Sequence, residues 1–203
     1  MTADVGLFGG TFDPPHLGHV RLLETAARAL APVRILVMPA GRPPHKGRPR
    51  TPPEERFAMA RLAFAKLSGV TVSDWEISRA EVSYTADTLR KLRATLSSGR
   101  LWLIVGADMF LTLPAWRRPE EIFALARVAV MIRAAGQERA VTETAAFLAH
   151  RFDAAVDIVP HTPVEISSSE LRARLARGEG AELLPDGVFD YIRARGLYAC
   201  QTT

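Results

Sequence analysis

The sequence predicts an α/β protein, built as a doubly wound parallel sheet with helices on both faces. Three observations lead to this fold class. Short apolar runs recur along the chain, as in parallel strands that are buried on both sides. Stretches with apolar residues three and four positions apart separate these runs, so strand and helix alternate. Runs end in glycine or in polar loops, at the edge where such sheets bind ligands.

The predicted elements follow each other along the whole chain. Aliphatic and β-branched runs predict strands at 5–8, 33–38, 70–72 with 75–77, 101–105, 128–132 and 156–160. Helices are predicted just after 16, from 51–54, from 83–87, over 119–126, over about 143–149, from 167–169 and over 184–198. The inward faces of the first two should carry Val20, Leu23, Ala27 and Leu30, and Phe57, Ala60, Phe64 and Leu67. We expect one Rossmann-like domain over 1–203, with a small C-terminal helical part at about 167–200.

Length and composition limit the class of protein. The chain has 203 residues, of which 48% are hydrophobic, enough for a buried core. No apolar run reaches the roughly 18 residues of a membrane span, and the apolar start is too short and glycine-rich for a secretory signal. Cys200 is the only cysteine, so neither an intrachain disulfide nor a cysteine metal cluster is expected. These features favour a cytoplasmic protein without a membrane partner.

The positive charge has two readings. The net charge is +4 and the pI is about 9.7, which is compatible with nucleic-acid binding. Only three of the 26 basic residues are lysines, however, and the arginines are scattered along the chain. Attraction of small polyanionic substrates such as nucleotides explains the charge at least as well. We therefore expect no nucleic-acid partner.

The stretch from Val5 to His19 carries the strongest functional signal. A short strand runs into Gly9 and Gly10, where the backbone can approach a ligand without a Cβ in the way. His16 precedes the next helix and His19 lies in its first turn, where free N–H groups and the helix dipole favour an anion. An ordinary strand-to-helix turn is the alternative. The conjunction of both histidines with the glycines favours a phosphate site.

Four further segments carry candidate residues. The Pro- and Gly-rich loop 39–50 holds Lys46, so it is either a lid that grips phosphate or a solvated linker, and we favour the lid. Asp108 follows the central strand and serves equally well as a ribose or cation ligand or as a helix N-cap. The serines at 167–169 are explained by helix capping, but with Arg172 they also form a typical phosphate site. The helix start at 83–87 is a second candidate anion site.

Four stretches resemble those of one enzyme family, in the same order and spacing. GGTFDPPHLGH, ending at His19, resembles the T/HxGH signature of nucleotidyltransferases. With it, SYTADTL at 83–89, the segment from Gly106 to Trp116, and ISSSELR at 166–172 resemble bacterial nicotinate-nucleotide adenylyltransferase. Ser169 stands where the family has threonine and keeps a hydroxyl. Arg133-Ala134-Ala135-Gly136 stands where the family has Arg-Pro-Gly and keeps the arginine.

The resemblance implies an enzyme of NAD biosynthesis that joins ATP and nicotinate mononucleotide, with Mg²⁺, to give deamido-NAD and pyrophosphate. The residues expected to take part in catalysis are His16, His19, Lys46 and Arg172. Those expected to bind ATP are Gly9, Gly10, Thr11, Phe12, His16, His19, Gly106, Asp108, Ile166, Ser167, Ser168 and Arg172. Those expected to bind nicotinate mononucleotide are Tyr84, Thr85, Trp116, Arg133 and Lys46. No metal ligand is assigned, and the sequence leaves open whether the protein is a monomer or a homo-oligomer.

The chemistry of these residues agrees with adenylyl transfer. The chain lacks the glycine fingerprint of dinucleotide binding, the Walker lysine motif, the His-Glu-x-x-His zinc motif and the nucleophile elbow. A substrate phosphate is already an anionic nucleophile, so neither a general base nor a covalent intermediate is required. Two alternatives remain: another adenylyltransferase, such as one acting on phosphopantetheine, and a non-catalytic nucleotide- or RNA-binding module.

Overall fold

The computed structural model describes residues 4–30, 33–43, 49, 51–133, 136–162 and 164–198. Its six strands are β1 Asp4–Gly10, β2 Val33–Pro39, β3 Val70–Val72, β4 Leu101–Gly106, β5 Arg127–Arg133 and β6 Val156–His161. Its α-helices are α1 Leu17–Ala29, α2 Pro53–Phe64, α3 Thr85–Thr95, α4 Ala107–Phe110, α5 Pro119–Leu125, α6 Glu138–Phe152, α7 Ser168–Leu175 and α8 Val188–Ala194. Short 3₁₀ turns lie at Leu113–Ala115 and Ala181–Leu183.

All six strands form one parallel sheet in the order β3-β2-β1-β4-β5-β6. The order reverses between β1 and β4, because one crossover leads outward to β2 and a later one returns to the other side of β1. At such a point the loops that follow the two strands diverge and leave a crevice. The predicted fold class, a doubly wound parallel sheet, is confirmed.

The core lies in two layers, one on each face of the sheet. Along β4, Leu101, Leu103 and Val105 pack with buried residues of α3 to α6. Trp102 and Ile104, which alternate with them, pack with buried residues of α1, α2, α7 and α8. This alternation follows from the two-residue period of a strand, so a continuous apolar run serves both faces. Among the described residues, no helix has the length and apolarity that a membrane span requires.

The predicted strand at 75–77 is wrong. β3 ends at Val72, and Trp75 to Ile77 lie in a turn. The chain leaves the sheet here because Glu76 is held by α3, where the Thr88 hydroxyl donates a 2.5 Å hydrogen bond to its carboxylate. Trp75 packs against the core on the α3 side of the sheet instead of extending β3.

Two helix predictions need correction. The buried face of α2 carries Arg56, Met59, Ala60, Ala63 and Phe64. Phe57 is only partly buried and lies under the Arg61 guanidinium, while Leu67 falls beyond the helix end. The predicted helix 184–198 is reduced to α8, because Gly187 has a positive φ of 76° and begins the helix only there. The predicted helix at 143–149 is confirmed and extends over Glu138–Phe152.

Candidate active site

The ends of β1 and β4 open into a cleft of about 890 Å³. Every predicted ATP-binding residue lines it, and so do Tyr84, Thr85 and Trp116, which are predicted to bind nicotinate mononucleotide. Lys46 lies outside the described residues, and of Arg133 only the backbone, at the end of β5, is described. The fold therefore brings segments from both halves of the chain to one crevice at the point where the strand order reverses.

The two histidines form a stacked pair at the start of α1. Their ring centroids are 3.8 Å apart, and the edge of Phe12 meets His19 at 5.1 Å. The Nδ1 atom of His19 accepts a 3.2 Å hydrogen bond from the backbone N–H of His16, so a neutral His19 carries its proton on Nε2. A Cβ at Gly18 would lie 2.9 Å from Nδ1 of His16. Glycine at 18 is therefore required for this packing.

Burial sets the charge of His16. The residue is only 7% exposed, and desolvation lowers its pKa to about 4. At neutral pH its ring is therefore uncharged and offers a single N–H donor. Such a ring can hydrogen-bond a phosphate oxygen without first taking up a proton.

Sequence reasoning missed Arg56, which organises the glycine-rich turn from below. Its fully buried guanidinium donates to the carbonyls of Thr11, Gly41 and Thr51, at 2.8, 3.2 and 3.3 Å. Burial lowers the pKa of this guanidinium, and the nearby Asp13 carboxylate opposes that change. The only local signal for this residue was its position, because Arg56 shares the inward face of its helix with Met59 and Ala60, while its carbonyl partners lie in segments distant in sequence.

A second arginine and the C-terminal segment hold the turn from the other side. Arg172 donates to the carbonyl of Asp13 at 2.6 Å, and the Ser168 hydroxyl donates to the carbonyl of Pro14 at 3.0 Å. The Tyr198 hydroxyl donates to the Asp13 carboxylate at 2.7 Å, and burial raises the pKa of Tyr198. The capping interpretation holds for Ser167, whose side chain accepts from the backbone N–H of Glu170. Ser168 and Arg172 instead join α7 to the turn.

Gly9, Gly10 and Gly41 serve different purposes. A Cβ at Gly9 would meet nothing within 4 Å, so this residue leaves open space at the cleft. A Cβ at Gly10 would lie 2.7 Å from the ring of Phe12, so its missing side chain makes room for that ring. At Gly41, a residue that sequence reasoning did not single out, a Cβ would overlap the Glu76 carbonyl oxygen at 2.1 Å.

The far side of the cleft is aromatic. Tyr84 is the N-cap of α3, and Thr85 is the first residue of that helix. The indole N–H of Trp116 donates to the Thr112 hydroxyl at 2.9 Å, and its ring packs partly against the core. This tryptophan therefore fills a gap beside the core and also lines the cleft. Arg117 lies beside them, with its Cζ 4.4 Å from the centroid of the Tyr84 ring.

Asp108 is exposed at the cleft and accepts a 2.7 Å hydrogen bond from the Gln137 side chain. Gly106, not Asp108, is the N-cap of α4, so the capping interpretation of this aspartate is wrong. Within the described part of the chain, no three histidine, cysteine or acidic side chains lie close enough together to hold a metal ion. The cleft therefore offers no metal cage made of described side chains.

Comparison with known sequences gives one family match over most of the chain and relatives that match nearly all of it. Residues 7–174 match the Cytidylyltransferase-like family. The chain is 39% identical over 210 residues to the probable nicotinate-nucleotide adenylyltransferase of Aeromonas salmonicida, covering 98% of both chains. It is 41% identical over 201 residues to the protein of the same name from Roseiflexus sp., covering 97% of this chain and 98% of the relative.

Solved structures agree at the level of the fold. The Plasmodium falciparum nicotinic acid mononucleotide adenylyltransferase complexed with NaAD superposes with a TM-score of 0.76 over 97% of both chains. The same protein complexed with APC gives a TM-score of 0.75. Sequence identity to both is 18%, so this likeness supports the architecture alone.

Proposed function

The chain belongs to the nicotinate-nucleotide adenylyltransferase family, and from this premise we propose the reaction that its cleft carries out. The enzyme transfers the AMP part of ATP to nicotinate mononucleotide, forming deamido-NAD and pyrophosphate in NAD biosynthesis. One observation carries the proposal, which is that two kinds of site share the same cleft. The first has the glycines, histidines and arginine of a phosphate site, and the second has aromatic side chains beside the N-terminus of α3. We name the first the donor half (9–19, Ser168 and Arg172) and the second the acceptor half (Tyr84, Thr85 and Trp116).

The step is a direct in-line transfer. A phosphate oxygen of nicotinate mononucleotide forms a bond to the α-phosphorus of ATP. The bond from that phosphorus to the oxygen that bridges to the β-phosphate breaks, and pyrophosphate leaves with the electron pair. The acceptor phosphate is already ionised, so no residue needs to remove a proton. The protein's contribution is to align the two substrates and to stabilise the charge that develops.

The donor-half residues divide this work. His19, with its proton on Nε2, donates to the α-phosphate, where charge develops in the transition state. The neutral His16 acts on the β- and γ-phosphates through its single N–H, with Lys46 assisting from the loop. Arg172 has five N–H donors, of which the contacts to Asp13 and Ser169 use two, so it can also bind the leaving pyrophosphate together with Ser168.

The acceptor half recognises the pyridine ring and its carboxylate. Trp116 supplies the aromatic plane for the ring, and the first N–H groups of α3, around Thr85, supply donors for the carboxylate. A carboxamide would place its NH₂ against those donors, and buried donors left unpaired are costly. The enzyme therefore prefers the acid to the amide acceptor by about a hundredfold in kcat/KM, roughly 3 kcal/mol.

Three accompanying points belong to the same proposal. Mg²⁺ enters as part of the ATP substrate, held mainly by phosphate oxygens and water, as is usual for this ion. Asp108 binds the ribose, and its exposed position in the cleft lining supports this role. The protein acts in the cytoplasm. It forms a single domain, because all six described strands belong to one sheet and α7 and α8 complete one of the two core layers of that sheet.

A pyrophosphate-release assay with ATP and a panel of acceptors tests the function. The panel contains nicotinate mononucleotide, nicotinamide mononucleotide and phosphopantetheine. We expect rapid turnover with the first and at least a hundredfold lower kcat/KM with the second. Preferential turnover of phosphopantetheine would favour the other adenylyltransferase, and ATP binding without turnover of any acceptor would favour a binding module.

A further inference from the structure

Arg117 stands out among the arginines at the cleft because of what holds it. It follows Trp116 directly and lines the cleft, and its guanidinium carbon lies 4.4 Å from the centroid of the Tyr84 ring. An arginine that rests on an aromatic face is attracted by the ring, and its N–H groups still donate sideways in their own plane. The side chain is exposed, so this contact is what restricts its position.

The neighbouring arginines are already neutralised. Arg118 lies 2.5 Å from the Asp87 carboxylate, and Arg90 contacts both Asp87 and Glu121 at 2.9 and 2.5 Å. Burial would raise the pKa of Asp87, but these arginine contacts outweigh it and lower the pKa overall, so the carboxylate stays charged. Among the described residues, Arg117 forms no ion pair, because the nearby carboxylates of Asp87 and Glu121 contact Arg118 and Arg90 instead. Its charge is therefore available to a ligand.

We propose that Arg117, held on Tyr84, is a specificity-determining residue that selects an acceptor whose aromatic ring carries a carboxylate. This inference rests on the proposed function. It adds a side-chain cation to the α3 N–H groups around Thr85, which by themselves provide only partial positive charge. A guanidinium attracts a carboxylate strongly and offers no such gain to a neutral carboxamide. Arg117 therefore widens the difference between the two acceptors.

The experiment compares kcat/KM for nicotinate mononucleotide and for its amide in three variants. Arg117→Gln removes the charge and Arg117→Lys retains it. Arg79→Gln is the control, because Arg79 also lies over an aromatic ring, 4.5 Å from Trp75, but pairs with Glu81 and does not line the cleft. Each variant is assayed at low and high salt, since an ion pair at an exposed site is screened by salt.

We expect Arg117→Gln to lower kcat/KM for the acid about tenfold, chiefly through KM, and to change the amide less than twofold. Arg117→Lys keeps most of the selectivity, Arg79→Gln keeps all of it, and the selectivity of the wild type falls with salt. Equal losses for both acceptors would overturn the inference and place Arg117 on a group that they share, such as the phosphate. An unchanged ratio in Arg117→Gln would overturn it as well. A wild type that does not use nicotinate mononucleotide would instead contradict the proposed function.

Discussion

The two halves of the cleft hold their arginines in opposite ways. In the donor half, Arg172 donates to a main-chain carbonyl, and the fully buried Arg56 beneath the turn donates to three. Beside the acceptor half, Arg117 is exposed and rests on one aromatic ring. An arginine that donates to several main-chain carbonyls is held in one position, so replacing it disturbs the backbone. An exposed arginine that rests on one aromatic ring can be replaced without disturbing the fold. We conclude that substitutions in the donor half reduce ATP binding, catalysis or stability, and that those beside the acceptor half alter selectivity.

The largest effect is expected at His19. Replacing it with alanine removes a donor to the α-phosphate, which matters most in the transition state. The His19→Ala variant should lose a factor on the order of 10²–10⁴ in kcat, with much less change in ATP affinity. Steady-state kinetics and ATP titration measure both, and His150→Ala on the exposed surface of α6 is the control. Near-normal kcat in His19→Ala would remove this residue from catalysis.

The next largest effect concerns stability. Arg56→Met fills similar space but leaves the carbonyls of Thr11, Gly41 and Thr51 without their donor. Unsatisfied buried groups are costly, so we expect a loss of about 3 kcal/mol or more in the free energy of unfolding. Urea unfolding measures it. Arg61→Met, on the exposed side of the same helix, should change stability by less than about 0.5 kcal/mol. Similar losses in the two variants would mean that Arg56 does not organise the turn.

A smaller effect should depend on pH. The pKa of His16 is about 4 in the folded protein and 6.5 in its ordinary state, so the unfolded chain binds more protons between these values. Stability contributed by the neutral ring is complete above pH 6.5 and falls as the pH drops towards 4. Between pH 7 and pH 4.5 the wild type should lose about 2 kcal/mol more than His16→Gln. The free energy of unfolding of both proteins is measured with urea at the two pH values. If the wild type and His16→Gln lose the same amount between these values, His16 is not buried in its neutral form.

The smallest change in stability is expected at Gly9. Alanine fits there without contact, so Gly9→Ala should unfold within about 0.5 kcal/mol of the wild type and yet bind ATP more weakly. Gly10→Ala, one residue on, drives a methyl group into the Phe12 ring and should be clearly less stable. Thermal unfolding and ATP titration of these two variants distinguish space that is open to a ligand, at Gly9, from space that the protein itself fills, at Gly10. If ATP affinity is unchanged in Gly9→Ala, the open space is not a ligand site.

The sequence predicted the fold class and many of the residues that line the cleft, because both depend on local signals. Apolar runs and glycine-rich strand ends are local signals, and a parallel sheet brings the carboxyl ends of its strands to one edge. The strand at 75–77 was predicted wrongly because the conformation of this segment depends on a hydrogen bond between Glu76 and Thr88, twelve residues away in α3. Arg56 was missed for a similar reason, since its partners are carbonyl groups of three separate segments. Long-range contacts of this kind leave little trace in local sequence.

The division of the cleft into two halves is tested most directly by titrating each substrate separately into two variants. Arg172→Glu should weaken ATP at least tenfold and leave nicotinate mononucleotide within about twofold, because charge reversal acts on the pyrophosphate end of ATP. Trp116→Ala should show the reverse pattern, since it removes only the plane for the pyridine ring. Calorimetry with the wild type as reference gives all six affinities. Loss of both substrates to the same extent in either variant would contradict the account.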